Sequence, residues 1–350
     1  MSDMDPPGLD LQRLAAYLGN TGAQGGRRPA LRATLFAGGR SNLTYAVTDG
    51  SRRWVLRRPP LGHVLPTAHD MAREHRVLAA LSRAGFPVPR PILLCTDPEP
   101  IGAPFYLMEF VDGTIYRDAA ALAVLGPDAV RSLVLSLADT LADLHALDPA
   151  GIGLADFGRP EGFNERQVRR WKKQLDASRS RDLPGIDDLY ARLAECIPEG
   201  RGAVVHGDYR LDNVLIGRHR EVVAVLDWEM STLGDPLGDL ALTMLYAGLP
   251  LLVRDGRPCA PIELPGHPTT AEMAEHYAKR SGHGLGDLRW YLGFAAFKVA
   301  VILEGVHYRY AHGQTVGEGF ENVGAMVGPL VEQGHRSLDG SGAQTTGEER

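Results

Sequence analysis

Asp208 and Asn213 stand five residues apart, and Asp227 follows nineteen residues after Asp208, at the end of the run VVAVLD. Two carboxylates and an amide at these spacings suit phosphoryl transfer. That reaction needs one carboxylate to orient an attacking hydroxyl and take its proton. It also needs oxygen ligands for Mg²⁺, which prefers carboxylate, amide oxygen, phosphate and water. The three residues supply that set, partly from a loop and partly from a strand end. Any one of them could equally cap a turn; the triple at these spacings favours the chemical reading.

The surrounding chain divides into elements able to hold these groups. Val204-Val205 and Val214 to Ile216 read as strands flanking a loop that carries His206, Asp208, Arg210, Asp212 and Asn213, and Glu221 to Asp227 reads as a second β run. Far upstream, LDLQRLAAYL puts Leu11, Leu14 and Leu18 on one helical face. The β-like runs ATLFAG, LTYAVTD and RWVLRR follow, then a helix over 67–84 with Thr67 as its N-cap, then PILLCT and PFYLMEFV. After Gly113 the pattern turns helical. Val130, Leu133, Val134, Leu137, Leu141 and Leu144 stripe one face of 127–147, and further helices are expected at 163–177, 185–196, 236–248, 270–281, 287–311 and 317–332. The expected organisation is an N-terminal helix and linker (1–29), a β-rich lobe with one helix (30–112), a helical lobe with an embedded β hairpin (113–332) and a disordered tail (333–350).

Composition excludes several function classes. The 350 residues are 44% hydrophobic and 23% charged, with a net charge of −6, so nothing global points to nucleic acid or an anionic membrane. Charge is unevenly divided. Residues 1–112 hold 13 Arg and 10 acids, while residues 113–350 hold 24 Lys and Arg against 33 acids. A basic first part suits an anionic ligand and an acidic second part a cation or metal, or both are simply solvated surfaces. Cys95, Cys196 and Cys259 are far apart, which fits a reducing cytoplasm rather than a disulfide framework or zinc site. MSDMDPPGLD shows no signal-peptide core, and the uncharged apolar stretch Leu240 to Val253 is too short to span a bilayer. A soluble cytoplasmic protein is expected.

HGDYRLDN followed by VLDWEMSTLGDPLGDLA resembles the aminoglycoside phosphotransferase family, small-molecule kinases with a protein-kinase-like fold, over residues 30–330. The resemblance implies an α+β, bilobal fold with a small antiparallel-sheet N-terminal lobe and a larger, mainly helical C-terminal lobe. It implies ATP as phosphate donor, with GTP as the alternative, and Mg²⁺ as cofactor. By it Asp208 is the catalytic base, Asn213 and Asp227 are metal ligands, and His206 shapes the loop. Arg210 sits where a kinase cation meets the γ-phosphate; it could also pair with Asp212. Asp239, within GDPLGDLA, becomes a buried acceptor for the amides of the catalytic loop.

The N-terminal segment fits the same reading. Phe36 to Tyr45 joins two β runs through Gly39, Ser41 and Asn42, small residues that let backbone N–H groups approach phosphates. The first Lys in the chain is Lys172, so Arg57 stands where kinases carry the lysine that holds the α- and β-phosphates. Strand alternation puts Val55 on the same face, under adenine, and turns Arg58 the other way. Glu74 is the helix carboxylate that would orient Arg57. The segment Tyr106 to Gly113 resembles a kinase hinge, with the backbone of Glu109 and Val111 pairing with adenine. The acceptor is a small molecule bearing a hydroxyl. An acidic surface suits a polycationic aminoglycoside, while VLRRPP and REHRVLAAL resemble the branch that includes kinase domains fused to acyl-CoA dehydrogenases and so a hydroxyacyl metabolite. Choline-, homoserine- or sugar-type acceptors are further alternatives within the wider fold. Two rivals are a nucleotide-binding pseudokinase, supported by Arg57 in place of Lys, and a metal-dependent phosphohydrolase, which would not need the glycine-rich loop or the hinge.

Overall fold

The computed structural model describes residues 5–20, 30–36, 42–62, 69–117, 119–250, 252–254, 257–315 and 320–340. The chain separates into two compact units. Unit 1 comprises Met1–Thr114, Ile152–Leu154 and Val214–Met230; unit 2 comprises Ile115–Gly151, Ala155–Asn213 and Ser231–Arg350.

Unit 1 opens with helix α1 (Leu11–Asn20), whose Leu14, Ala15 and Leu18 are buried as the leucine spacing requires. Strands β1 (Arg32–Leu35), β2 (Leu43–Thr48) and β3 (Arg53–Arg58), helix α2 (Met71–Arg83), and strands β4 (Pro91–Cys95) and β5 (Phe105–Glu109) follow. The sheet is antiparallel, in the order β1-β2-β3-β5-β4. Its core joins Leu14 and Leu18 of α1 to Tyr45, Val47, Trp54 and Leu56. Because side chains alternate along β3, Trp54 and Leu56 face that core while Val55 and Arg57 face the other side. Helix α2 begins later than the expected 67. Asp70 is its N-cap and accepts from the Arg73 N–H, and its charge suits the positive end of the helix better than a neutral Thr does. Thr67 lies outside the described residues.

Past Thr114 the chain enters unit 2 through α3 (Ala119–Ala123), α4 (Pro127–His145), α5 (Phe163–Ser178), α6 (Ile186–Glu195) and β6 (Ala203–Val205). Next come β7 (Val214–Ile216) and β8 (Val222–Val225), which pair with each other and belong to unit 1. The strands flanking the charged loop therefore do not pair together. β6 pairs instead with β9 (Thr232–Gly234), so each end of the loop is anchored in a different ladder. The remainder is α7 (Pro236–Ala247), the short ladder of β10 (Leu252–Arg254) with β11 (Arg257–Cys259), α8 (Thr270–Ser281), α9 (Leu288–Ala311) and α10 (Val327–Asp339).

α9 is long and apolar enough to cross a membrane by length and composition, but 67% of its most apolar window is buried inside the protein. It packs against α5, α6, α7 and α10 as the core helix of unit 2. The C-terminal expectation needs correcting. The last helix starts at Val327 rather than 317 and runs on to Asp339, through residues expected to be disordered from 333. The polar run QGHRSLDG misleads because the helix buries its small residues, Gly334 and Ser337, beside Leu330 and Val331. A Cβ on Gly334 would lie 2.6 Å from Leu189 Cδ2, so the glycine lets that side chain pack directly on the helix. Residues 341–350 lie outside the described residues.

Candidate active site

The loop after β6 is held from beneath by Asp239 of α7. Its carboxylate accepts the backbone N–H of His206 at 2.6 Å and of Gly207 at 2.8 Å, as expected for a buried acceptor of loop amides. His145, the last residue of α4, lies 3.5 Å from the same carboxylate and shares a 2.7 Å hydrogen bond with the Tyr277 hydroxyl. Burial pushes the Asp239 carboxyl up, but the hydrogen bond and charge from His145 and the contacts from His206 outweigh it and hold the pKa below the usual carboxylate value. Asp235 is structural: as the N-cap of α7 it accepts from Leu237 N, and it also accepts from Arg201 N.

A carboxyl whose native pKa is depressed contributes stability above its unfolded pKa and loses it as pH falls through the lower native value. Asp239→Asn replaces one acceptor oxygen with an NH₂ that cannot accept. It is expected to cost about 1.5–3 kcal/mol near neutrality. In urea titrations that gap should narrow as pH falls from about 4, where the unfolded carboxyl protonates, through the lower native value of Asp239.

Asp208 projects from this anchored loop. Tyr246 of α7 donates its hydroxyl to Asp208 Oδ1 at 3.0 Å. Asn213 Nδ2 lies 3.2 Å from Oδ2 and donates to the Asp208 carbonyl at 2.9 Å. Burial raises the Asp208 pKa above the ordinary value, while Arg210, Tyr246, His206 and Lys298 pull it back. A carboxylate biased toward taking a proton, yet still 30% exposed at its side chain, suits a general base. Arg210 pairs with Asp212 at 3.0 Å, its Nε is 3.4 Å from Asp208 Oδ2, and its guanidinium lies over the Tyr246 ring at 5.4 Å. Arg210 thus pairs with Asp212, the alternative raised from the sequence, and lies beside Asp208. The Nδ2 of Asn213 is committed, but its Oδ1 has no partner among the described residues and remains a candidate metal ligand.

Unit 1 carries the second cluster. Arg57 Nε lies 3.2 Å from Glu74 Oε2, close enough for an ion pair though not directed for a hydrogen bond, and its Nη2 donates to Asp227 Oδ1 at 3.1 Å. Glu74 is 2% exposed. It accepts from the Tyr106 hydroxyl at 2.8 Å and from Asn42 Nδ2 at 2.9 Å. Burial pushes its carboxyl up, and Arg57 and Tyr106 pull it down. Asp227 adopts a left-handed backbone, φ 64°, a conformation Asp tolerates better than most residues. Its side chain is 36% exposed, and Oδ2 has no partner among the described residues. That open carboxylate oxygen fits a hard cation that keeps water and phosphate among its ligands. Among the described residues no three His, Cys, Asp or Glu converge into a preformed metal site. Asn213 belongs to unit 2 and Asp227 to unit 1.

The other residues expected to contact nucleotide lie as follows. Gly39 and Ser41 lie outside the described residues. The Asn42 amide is committed to Glu74, Glu229 and His69, which leaves any phosphate contact to its backbone. Val55 lies opposite Ala46 on the face of Arg57. Glu109 spends its N–H on Arg90 O at 2.9 Å, and Val111 follows the end of β5. Arg58 is not a solvated neighbour. It is buried and donates to the carbonyls of Gly8, Ile101 and Pro59. The two arginines should therefore separate cleanly. Arg57→Ala should lose about one to two decades in kcat/KM for ATP, with partial recovery in Arg57→Lys. Arg58→Ala should keep its kinetics and lose about 1–3 kcal/mol of stability; steady-state kinetics and urea melts on the three variants distinguish the cases.

Sequence reasoning missed Tyr106, Tyr246 and Lys298 as site residues. Tyr106 lies opposite Arg57 across β3 and β5, a pairing visible only once the non-consecutive strands are known to be neighbours. Tyr246 carries no local signal. Lys298 did: it is the lone charge in the apolar run LGFAAFKVAVIL, and its Nζ donates to the Gly207 carbonyl at 3.2 Å.

Residues 32–262 match the model of the phosphotransferase enzyme family. Acyl-CoA dehydrogenase family member 11 of Gallus gallus is 38% identical over 313 residues, which cover 87% of this chain and 40% of that protein. The chain thus spans well under half of this relative, whose name agrees with the branch that the sequence resembles. A Ralstonia eutropha crystal structure provisionally described as an aminoglycoside phosphotransferase is 31% identical, with a TM-score of 0.81, and the match covers 95% of this chain and 99% of that one. A thermostable aminoglycoside phosphotransferase mutant in ternary complex with AMP-PNP and hygromycin B shares the fold at 16% identity, with a TM-score of 0.59 and coverage of 93% and 98%.

Proposed function

The chain belongs to the phosphotransferase enzyme family, and on that premise we propose that it is an ATP-dependent small-molecule kinase that moves the γ-phosphate to a hydroxyl of its acceptor. Asp208 carries the reading. A partly exposed carboxylate of raised pKa, oriented by the Tyr246 hydroxyl and Asn213 on a loop pinned to Asp239, is built to take a proton. In the proposed step Asp208 accepts the acceptor's hydroxyl proton. The oxygen forms a bond to the γ-phosphorus, the bond from that phosphorus to the β,γ-bridging oxygen breaks, and ADP leaves with the electron pair. Arg210 turns its cation toward the transferred group. Arg57, held by Glu74, binds the α- and β-phosphates, Val55 lies under adenine, and the backbone at Glu109 and Val111 meets its edge. When bound, Mg²⁺ on Asn213 and Asp227 would supply charge neutralisation at the phosphates.

The relative with an acyl-CoA dehydrogenase name, at 38% identity, favours a hydroxyacyl acceptor over an aminoglycoside. The test is ADP release from Mg·ATP across hydroxyacyl compounds, aminoglycosides, choline and sugars. Acceptor-dependent release, abolished with an acceptor whose hydroxyl is methylated, is expected. A chain that is stabilised by Mg·ATP yet releases no ADP with any acceptor would favour the pseudokinase instead.

A further inference from the structure

Trp228 and Trp290 each donate the indole N–H to a backbone carbonyl, of Val225 and Leu193 respectively, at 3.0 Å. Trp171 does not. It is 7% exposed, and its Nε1–H is buried without an acceptor among the described residues. Burying a donor without an acceptor is costly, and such groups mark a missing partner. Two cations flank the same ring: Lys298 Nζ and Arg170 Cζ each lie 5.7 Å from its centroid. Lys298 reaches in from α9 and donates to Gly207 O, one residue before Asp208. Neither cation has a carboxylate within ion-pair distance among the described residues. Burial lowers the Lys298 pKa, Asp239 and Asp208 oppose that, and Arg170 adds to it, so an anion beside Lys298 would favour its charged form and offset the repulsion from Arg170.

The geometry points to an oxyanion subsite in unit 2, formed by Trp171 Nε1–H, Lys298 and Arg170, that binds an acidic group of the acceptor. Acceptors are then hydroxy acids or hydroxylated phosphate esters. A polycation is repelled here, whatever the net acidity of the chain after residue 112. Helix α5 agrees locally, with Arg166, Arg169, Arg170, Lys172 and Lys173 against Glu165 and Asp176. Only the identification of the ligand as the acceptor rests on the phosphotransferase reading; the anion site stands on its own geometry.

The test follows the indole N–H resonances of the ¹⁵N-labelled full chain, with Trp171 assigned by Trp171→Phe. The probes are 3-hydroxybutyrate against 3-hydroxybutyramide, for a carboxylate, and glycerol 3-phosphate against glycerol, for a phosphate. At least one anion should shift the Trp171 resonance saturably while its neutral counterpart does not. Lys298→Met should weaken that binding about 10- to 100-fold, with Lys298→Arg recovering part. The anion that binds identifies the source of the charge. Equal responses to neutral and charged probes, no response to either anion, or unchanged affinity in Lys298→Met would each overturn the subsite. In parallel, ADP release is measured with the same compounds. Anion binding without any phosphorylation would leave the subsite standing and remove the transferase reading. Equal phosphorylation of charged and neutral probes would do the reverse.

Discussion

Asp208→Asn is expected to lower kcat by about 10²–10⁴-fold, the range typical of removing a general base, with little change in melting temperature. The substitution is nearly isosteric. The amide oxygen can still accept from Tyr246 at the position now 3.0 Å away, so the loop should keep its shape. What it cannot do is take a proton. Stability should hold or rise slightly. The raised pKa of Asp208 means that the ionised form is disfavoured in the folded chain, and a neutral amide removes that cost at every pH above it. The same shift predicts that wild-type kcat/KM, which reports the free enzyme, falls on the acid side at a pH above the ordinary carboxylate value near 4. Kinetics at saturating substrates, with a thermal melt of the same samples, decide the matter. An Asp208→Asn enzyme turning over at the wild-type rate removes Asp208 as the base.

Asp227→Ala should abolish the stabilisation that Mg·ATP confers. At a ligand concentration 100 times Kd, binding stabilises the folded state by about 2.7 kcal/mol, several degrees in Tm for a chain of this size. Asp227 supplies the exposed carboxylate, with an oxygen that no described residue engages, and the alanine leaves nothing at that position for Mg²⁺. The variant also releases one of the two carboxylates facing Arg57, so the apo protein itself should be slightly altered. For that reason the readout is the difference between melts with and without Mg·ATP, compared with ATP plus EDTA. Asn213→Ala should retain part of the shift, because a neutral amide is the weaker ligand. If Mg·ATP stabilises Asp227→Ala as much as wild type, Asp227 does not hold the metal.

Much of this protein was legible before any coordinates. The five-residue spacing of Asp208 and Asn213 and the Asp at the end of VVAVLD are short-range features, fixed by a loop and the strands beside it. Alternation along RWVLRR correctly separated Arg57 from Arg58, because the two-residue period is a property of extended backbone itself. Local pattern failed where polar and apolar cues disagreed. Thr67 lost to Asp70 as the N-cap of α2, and the polar run after Gln333 proved helical because its small residues, rather than large apolar ones, face the neighbouring helices.

The sequence by itself thus determined the family and the α+β layout, and it nominated the two carboxylates and the amide as candidates for the chemistry, since all of these depend on spacings of a few residues. Only the tertiary structure decided what surrounds them. Tyr246 is 38 residues from Asp208, Tyr106 is 32 from Glu74, and Lys298 is 91 from Gly207. The strands flanking the charged loop take partners in different ladders instead of pairing with each other. Hydrogen bonds and burial act through space, and no periodicity along the chain encodes which distant side chain will arrive to orient a carboxylate or leave an indole N–H without a partner.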